Sequence, residues 1–154
     1  MWMNDQNQYG RDRAQHYAYL ARLNFMCADI ADEKVGLLPG FEIAAPPPVM
    51  TLCAHSIELS LKSFLLQVGV PESEVRSLGH DLVGCWRKSQ DMAGGALPKV
   101  DERVLAIISD LLGSGGLRYG EQSKLGRVPV YGPLSDLCRQ CLDLCNAPSL
   151  EDMV

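Results

Sequence analysis

The chain has 154 residues, of which 47% are hydrophobic and 21% are charged, and this composition fits one globular domain with a sizeable core. Its formal net charge of −5 argues against a broad phosphate-binding surface, which needs an excess of Lys and Arg, but is compatible with a local basic patch. The N-terminus lacks the apolar segment of a secretory signal, and no run of about 18 apolar residues predicts a membrane-spanning helix. We therefore expect a cytoplasmic protein with no membrane association, whose six cysteines are reduced.

Apolar residues recur at helical spacing in five segments, which Gly- and Pro-rich stretches separate. No segment shows the strict alternation that is typical of a half-buried strand. The fold class is therefore predicted to be all-α, an up-and-down bundle of four to five helices. The five helices are predicted at residues 13–34, 48–68, from about 81, 98–112 and 133–145.

One domain is expected to hold all these helices, over residues 13–146, with a flexible N-terminus at residues 1–12 and a frayed tail at residues 147–154. Pro98 is suited to the first turn of the fourth helix. The connection over residues 113–132 is unusually long for a compact domain, and loops of this length are commonly functional or mobile.

The second predicted helix carries apolar residues on two faces, and a narrow polar stripe of His55, Glu58 and Lys62 lies between them. A surface helix has one apolar side only. We therefore expect this helix to be central in the bundle, with its polar stripe at least partly enclosed.

Three short blocks of the sequence resemble motifs of the HEPN domain family. The first is the Glu–Leu–x–Leu–Lys core from Glu58 to Lys62, in a segment that ends at Gly69. The second is His-Asp-Leu at residues 80–82, where Asp81 is suited to cap the third helix. The third is the Arg-Tyr pair at residues 118–119, after which Gly120 replaces the family's frequent Pro. The blocks occur in the family's order, and the resemblance spans roughly residues 13–146.

The resemblance implies a bundle of four to five helices that is often dimeric, and a role tied to nucleotides or RNA. Some members of the family work beside a small nucleotidyltransferase, and others are ribonucleases of toxin and defence systems. For this chain we accordingly expect a homodimer, with a nucleotidyltransferase or an antitoxin-like protein as a candidate partner and a nucleotide or RNA as a candidate ligand. We expect no cofactor.

Glu58 and Lys62 are spaced for an ion pair on one helix face. One interpretation is a salt bridge that neutralises a central helix. The other is a polar pocket, formed with His80 and Arg118, that binds an anion such as a nucleotide phosphate. In that pocket Arg118 would contact the anion, and the neighbouring tyrosine would stack or donate a hydrogen bond. The candidate ligand-binding residues are therefore Glu58, Lys62, His80, Asp81, Arg118 and Tyr119.

A ribonuclease is the alternative from another functional class. The nucleases of the family use an Arg followed, after four to six residues, by a His, which serves as acid or base while the Arg stabilises phosphate charge. Arg11 and His16 match this spacing but stand at the start of the first helix, earlier than the family's motif. His80 is a second candidate, although its spacing from Arg76 is too short. A purely structural interaction subunit is the third interpretation.

Two further patterns bear on ligands. Cys138, Cys141 and Cys145 have partial zinc-ligand spacing but lie on the apolar stripe of one predicted helix, so we assign them to the core and expect no metal. The loop over residues 115–127 carries Lys and Arg among glycines, and it could hold a phosphate or serve only as a connection. The interpretation that the sequence favours is a non-catalytic HEPN-like module.

Overall fold

The computed structural model describes residues 2–124 and 126–154, and the side chains from residue 11 onward within those ranges. Over this part the chain is helical and contains no strand, so the all-α prediction is confirmed. Two short 3₁₀ helices cover Gly116–Arg118 and Glu151–Met153. The six α-helices are α1 (Trp2–Val35), α2 (Pro47–Gln67), α3 (Glu72–Ser77), α4 (Leu82–Ala93), α5 (Glu102–Ser114) and α6 (Tyr131–Leu144).

The structure differs from the predicted elements at three places. The short helix α3 was not predicted, because six residues are too few to show a helical period. Helix α5 does not begin at Pro98; it begins after Asp101, whose carboxylate accepts from the backbone N–H groups of Arg103 and Val104. Helix α1 begins at Trp2 rather than at residue 13. The side chains of residues 1–10 lie outside the described part, so the flexibility of residues 1–12 stays a prediction.

Helices α1 and α2 pack antiparallel through small side chains. Ser56 Oγ donates to the carbonyl of Ala21 at 2.8 Å, and Ser63 Oγ donates to the carbonyl of Ala14 at 2.7 Å. These bonds bring side chains of one helix onto the backbone of the other, which is possible because the α1 residues at the seam are alanines. Each hydroxyl is also satisfied, although it is buried.

Helix α2 is central, as its two apolar faces predict, and it packs against α1, α4, α5 and α6. Its side chains Val49, Ile57, Leu61 and Leu65 are fully buried. Within the described part, α2 is also the one helix whose length and composition would suffice to cross a membrane. Of its apolar stretch, 67% is buried inside the bundle, which is the environment of a core helix.

The end of α2 follows from a glycine. Gly69 adopts φ +93°, and the N–H groups of Gly69 and Val70 return to the carbonyls of Leu66 and Leu65. This left-handed closure is the usual way in which a glycine stops a helix. It turns the chain into α3 and so leads it back toward α4.

Helix α6 is tied to α1 by a hydrogen bond between side chains. Tyr131, the first residue of α6, donates its Oη proton to Asp29 Oδ1 at 2.5 Å. Burial, and secondly this bond, raise the pKa of Tyr131 well above its ordinary value of 10.0. The bond therefore holds α6 against α1 as long as the phenol keeps its proton.

The Tyr131 bond predicts how stability depends on alkaline pH. In the unfolded chain Tyr131 ionises as the pH passes about 10, whereas in the folded protein it keeps its proton. Its contribution is therefore complete below pH 10 and is lost as the pH rises beyond that value. We expect Tyr131→Phe to cost about 1 kcal/mol at neutral pH and progressively less above pH 10. Urea unfolding of Tyr131→Phe and of the exposed control Tyr119→Phe, at neutral and alkaline pH, measures the difference. Equal pH dependence of the two variants would contradict it.

Candidate functional site

The polar stripe of α2 contains a nearly buried ion pair. Glu58 and Lys62 stand one helical turn apart, and Lys62 Nζ lies 2.8 Å from Glu58 Oε1. Only 9% of the Glu58 side chain and 13% of the Lys62 side chain are exposed. Cys85 of α4 lies close to this pair, and burial raises the pKa of its thiol to about 11, so that it stays neutral. The pair is therefore shielded from water on its inner side, where its attraction is stronger than at an open surface.

His80 completes this network from the turn before α4. Its Nδ1 lies 3.0 Å from Glu58 Oε2 and 3.2 Å from Oε1, so that both carboxylate oxygens face the ring. Because an ionised carboxylate only accepts hydrogen bonds, Nδ1 carries the proton and donates. The side chain is 64% exposed, and its other nitrogen, Nε2, has no partner within the described part of the chain. Glu58 thus fixes the ring and leaves Nε2 available to a ligand.

A cleft of about 410 Å³ opens beside this histidine and is called the His80 cleft below. Its walls come from the start of α4, the end of α5 and the loop after α5, with the polar side chains His80, Asp81, Ser109, Asp110, Ser114 and Lys124. Ser109 is buried, and its Oγ accepts from the N–H groups of Leu82 and Val83. These two bonds attach the first turn of α4 to α5 beside the cleft.

The two aspartates of the cleft already hold backbone groups. Asp81 Oδ1 accepts from the N–H of Gly84 at 2.9 Å and caps α4, as the sequence predicts. Asp110 Oδ2 accepts from the N–H of Lys124 at 2.6 Å. These bonds offset part of the negative charge that would repel an anion. The Nζ of Lys124 forms no ion pair within the described ranges, so it and His80 Nε2 are the groups that remain for an acidic ligand.

The structure brings four of the six predicted site residues together. The other two lie in the connection that follows α5. Glu58, Lys62, His80 and Asp81 are adjacent, whereas Arg118 and Tyr119 are exposed and do not line the cleft. Gly120 lies against Pro47, at the first residue of α2. Glu58 is eleven residues further along that helix, about 16 Å at 1.5 Å per residue.

A second cleft, of about 720 Å³, contains the alternative pair. Arg11 and His16 of α1 both line it, beside Tyr19, Gln67 and Asn146. The Nε2 of Gln67 donates to the carbonyl of Cys145, so one wall of the cleft is anchored to the end of α6. Both members of the pair are exposed.

Two cysteines of α6 and the one that follows the helix lie in the core. Cys138, Cys141 and Cys145 are buried, and burial raises the pKa of the Cys141 thiol to about 12. Cys138 Sγ lies 3.6 Å from the carbonyl oxygen of Cys53 on α2. Among the described residues, no group of three or more His, Cys, Asp or Glu side chains is arranged to hold a metal ion.

Sequence reasoning did not identify Ser109 and Asp110 as part of the site. Ser109 falls within the apolar stripe of α5, and its role as a cap for α4 depends on how two helices meet. Lys124 lies in the loop over residues 115–127, whose Lys and Arg residues the sequence does not distinguish from one another. The exposed ends of a loop have no periodicity from which their position could be predicted.

Comparisons of the chain with family models, with curated proteins and with solved structures found no match.

The Glu58–Lys62 pair predicts a coupling in folding stability. Removing one member leaves a nearly buried charge without its partner, so Glu58→Gln and Lys62→Met should each cost about 1–3 kcal/mol. The double variant should cost clearly less than the sum of the two, because it leaves neither charge behind. Urea unfolding of the four proteins measures the coupling. The pair Glu72 and Arg76 is also one turn apart but more exposed, with 24% and 69% of the two side chains accessible, and as the control it should show much less coupling. Additive costs at Glu58 and Lys62 would contradict a nearly buried pair.

Proposed function

We propose that the chain is a non-catalytic, HEPN-like helical module that binds a nucleotide or a similar anionic ligand in the His80 cleft. The observation that carries the proposal is an exposed histidine, His80, whose Nδ1 lies 3.0 Å from a nearly buried glutamate and which lines the cleft together with Lys124. The module would act in the cytoplasm as a homodimer, beside a nucleotidyltransferase or an antitoxin-like protein in a nucleotide- or RNA-linked system.

The positions of the motif residues support the HEPN-like part of the proposal. The Glu58–Lys62 block lies on the central helix, and the His-Asp-Leu block begins α4 directly beside it. Glu58 and His80, which come from different blocks, bond to each other. Two of the three blocks that carry the resemblance therefore meet in one local structure.

The chemistry of the cleft suits a phosphate group. When His80 is protonated, Nε2–H becomes a donor, and it would bind a phosphate oxygen opposite the Lys124 ammonium. The hydroxyl of Ser114 is a further donor on the same wall. Arg118 and Tyr119, on the loop that follows α5, remain candidate contacts for the part of a nucleotide that extends out of the cleft.

Calorimetric titration tests the proposal with AMP, ATP and inorganic phosphate, and with adenosine as the ligand that lacks a phosphate. We expect the phosphate-bearing probes to bind and adenosine not to bind. His80→Gln and Lys124→Met should each weaken AMP binding about tenfold, because each removes one side chain that would contact the phosphate. The matched controls are His16→Gln and Lys99→Met, which lie outside the cleft and should bind as the unmodified protein does. The proposal would be contradicted if none of the phosphate-bearing probes bound, or if the control variants lost as much affinity as the cleft variants.

A metal-independent ribonuclease is the second candidate, and one observation favours it: Arg11 and His16 line the same cleft of about 720 Å³. An imidazole and a guanidinium on one wall could supply a general acid or base and a group that stabilises phosphate charge. This cleft is separate from the His80 cleft, since the two share no lining residue.

Incubation with end-labelled RNA in the presence of a chelator separates the two candidates. If the protein is the non-catalytic module proposed above, we expect no cleavage above that of a mock-purified control. Cleavage that Arg11→Ala and His16→Gln each abolish, while His80→Gln retains it, would establish the nuclease at the α1 cleft. Cleavage lost only in His80→Gln would instead make the Glu58–His80 pair its acid or base.

A further inference from the structure

A cluster of apolar side chains is exposed on the loop between α1 and α2 and at the residue before α6. Leu37 is 83% exposed and Ile43 is 78% exposed. Leu38, the next residue in the chain after Leu37, is also exposed, as is Val130, which lines the same concavity. Single exposed apolar residues are common on soluble proteins, but several in one small region are typical of interaction surfaces. None of these residues belongs to the His80 cleft or to the α1 cleft.

The cluster forms a groove with a fixed base. Leu37, Phe41, Ile43 and Val130 line a concavity of about 310 Å³ between this loop and the start of α6. The N–H of Ala45 donates to the carbonyl of Pro129 at 3.1 Å and joins the two loop segments. The bond from Tyr131 to Asp29 attaches the same region to α1. The groove is therefore built from segments that are held together by hydrogen bonds.

The rim of the groove is acidic. Asp32, Glu33 and Glu42 line it, and Asp29 lies close to Asp32. Burial, and secondly the charge of Asp29, raise the pKa of Asp32 above its ordinary value, so its ionised form is disfavoured there. The only basic residue between positions 29 and 45 is Lys34. Within the described ranges, none of these four carboxylates forms a salt bridge with a basic side chain, so a cation from outside would relieve the repulsion between Asp29 and Asp32.

We propose that this acidic groove is a docking surface for a segment of a partner protein that carries Lys or Arg next to a large aliphatic or aromatic side chain. The apolar residue would enter between Leu37 and Ile43, where it removes apolar surface from water. The cation would face Asp32 and Glu33, which would set orientation and rate of association. A second copy of the chain fits this surface less well, because each copy has a net charge of −5 and would bring acid toward acid.

Selection of a random-peptide phage library on the immobilised full chain tests the proposal without assuming a partner. We expect the enriched peptides to combine Lys or Arg with Leu, Ile, Phe or Met. For one synthetic enriched peptide, Ile43→Ser and Glu33→Lys should each weaken binding about tenfold, since each removes one of the two kinds of contact. Higher salt should weaken binding to the unmodified protein and have less effect on Glu33→Lys.

Matched controls and a measurement of assembly complete the experiment. Leu150→Ser and Glu151→Lys change an exposed apolar and an exposed acidic residue elsewhere on the surface, and they should bind the peptide normally. Circular dichroism melting verifies that all four variants are folded. A library that yields no binder, binders without basic residues, or equal losses in the controls would overturn the proposal. So would sedimentation data showing a dimer of the unmodified chain that Ile43→Ser and Glu33→Lys dissociate, because the occupant would then be a second copy.

Discussion

Burial of the Glu58 carboxylate on the central helix is the constraint on which the site depends. Helix α2 contacts all five other α-helices, and the Glu58 side chain on it is only 9% exposed, so this charge loses most of its water. Lys62 compensates that loss from one helical turn away, and His80 compensates it from the turn before α4. Glu58 therefore joins the central helix to His80, in the turn before α4.

Two other features make this arrangement possible. The alanines of α1 let α2 approach closely, and the buried serines Ser56 and Ser63 bond across the seam without adding unsatisfied groups. On the opposite side, Ser109 of α5 accepts from the first N–H groups of α4. Small hydroxyl side chains thus set the distances between the helices, while the charged pair sets the location of the histidine. The same few contacts that hold the bundle together also shape the cleft beside it.

The sequence contained much of the fold and about half of the site. The double apolar face of α2 predicted its central position because only a helix covered on several sides can hide both faces. Asp81 was identifiable as a cap, and Glu58 with Lys62 as an ion pair, because those interactions are local. The start of α5 was misplaced because Pro98 and Asp101 are both suitable first-turn residues, and the side-chain bonds of Asp101 decide between them.

The remainder of the site depends on contacts that no local pattern encodes. Lys124 lines the same cleft as His80, and its backbone N–H is bound by Asp110. Asp110 and Lys124 are 14 positions apart in the chain. The loop carries Arg118 past the end of α5 toward Pro47, where no helical period could have placed it. The acidic groove likewise arises where two loops meet through Ala45 and Pro129.

The six cysteines of the folded protein differ in their accessibility to thiol reagents. Cys27 is exposed on α1, whereas the other five thiols are enclosed in the bundle. A maleimide dye added to the native protein should therefore attach at one position without any engineering of the sequence, and it would report rotation of α1. The enclosed thiols would react only after the helices separate, so the rate of further modification would follow the opening of the core.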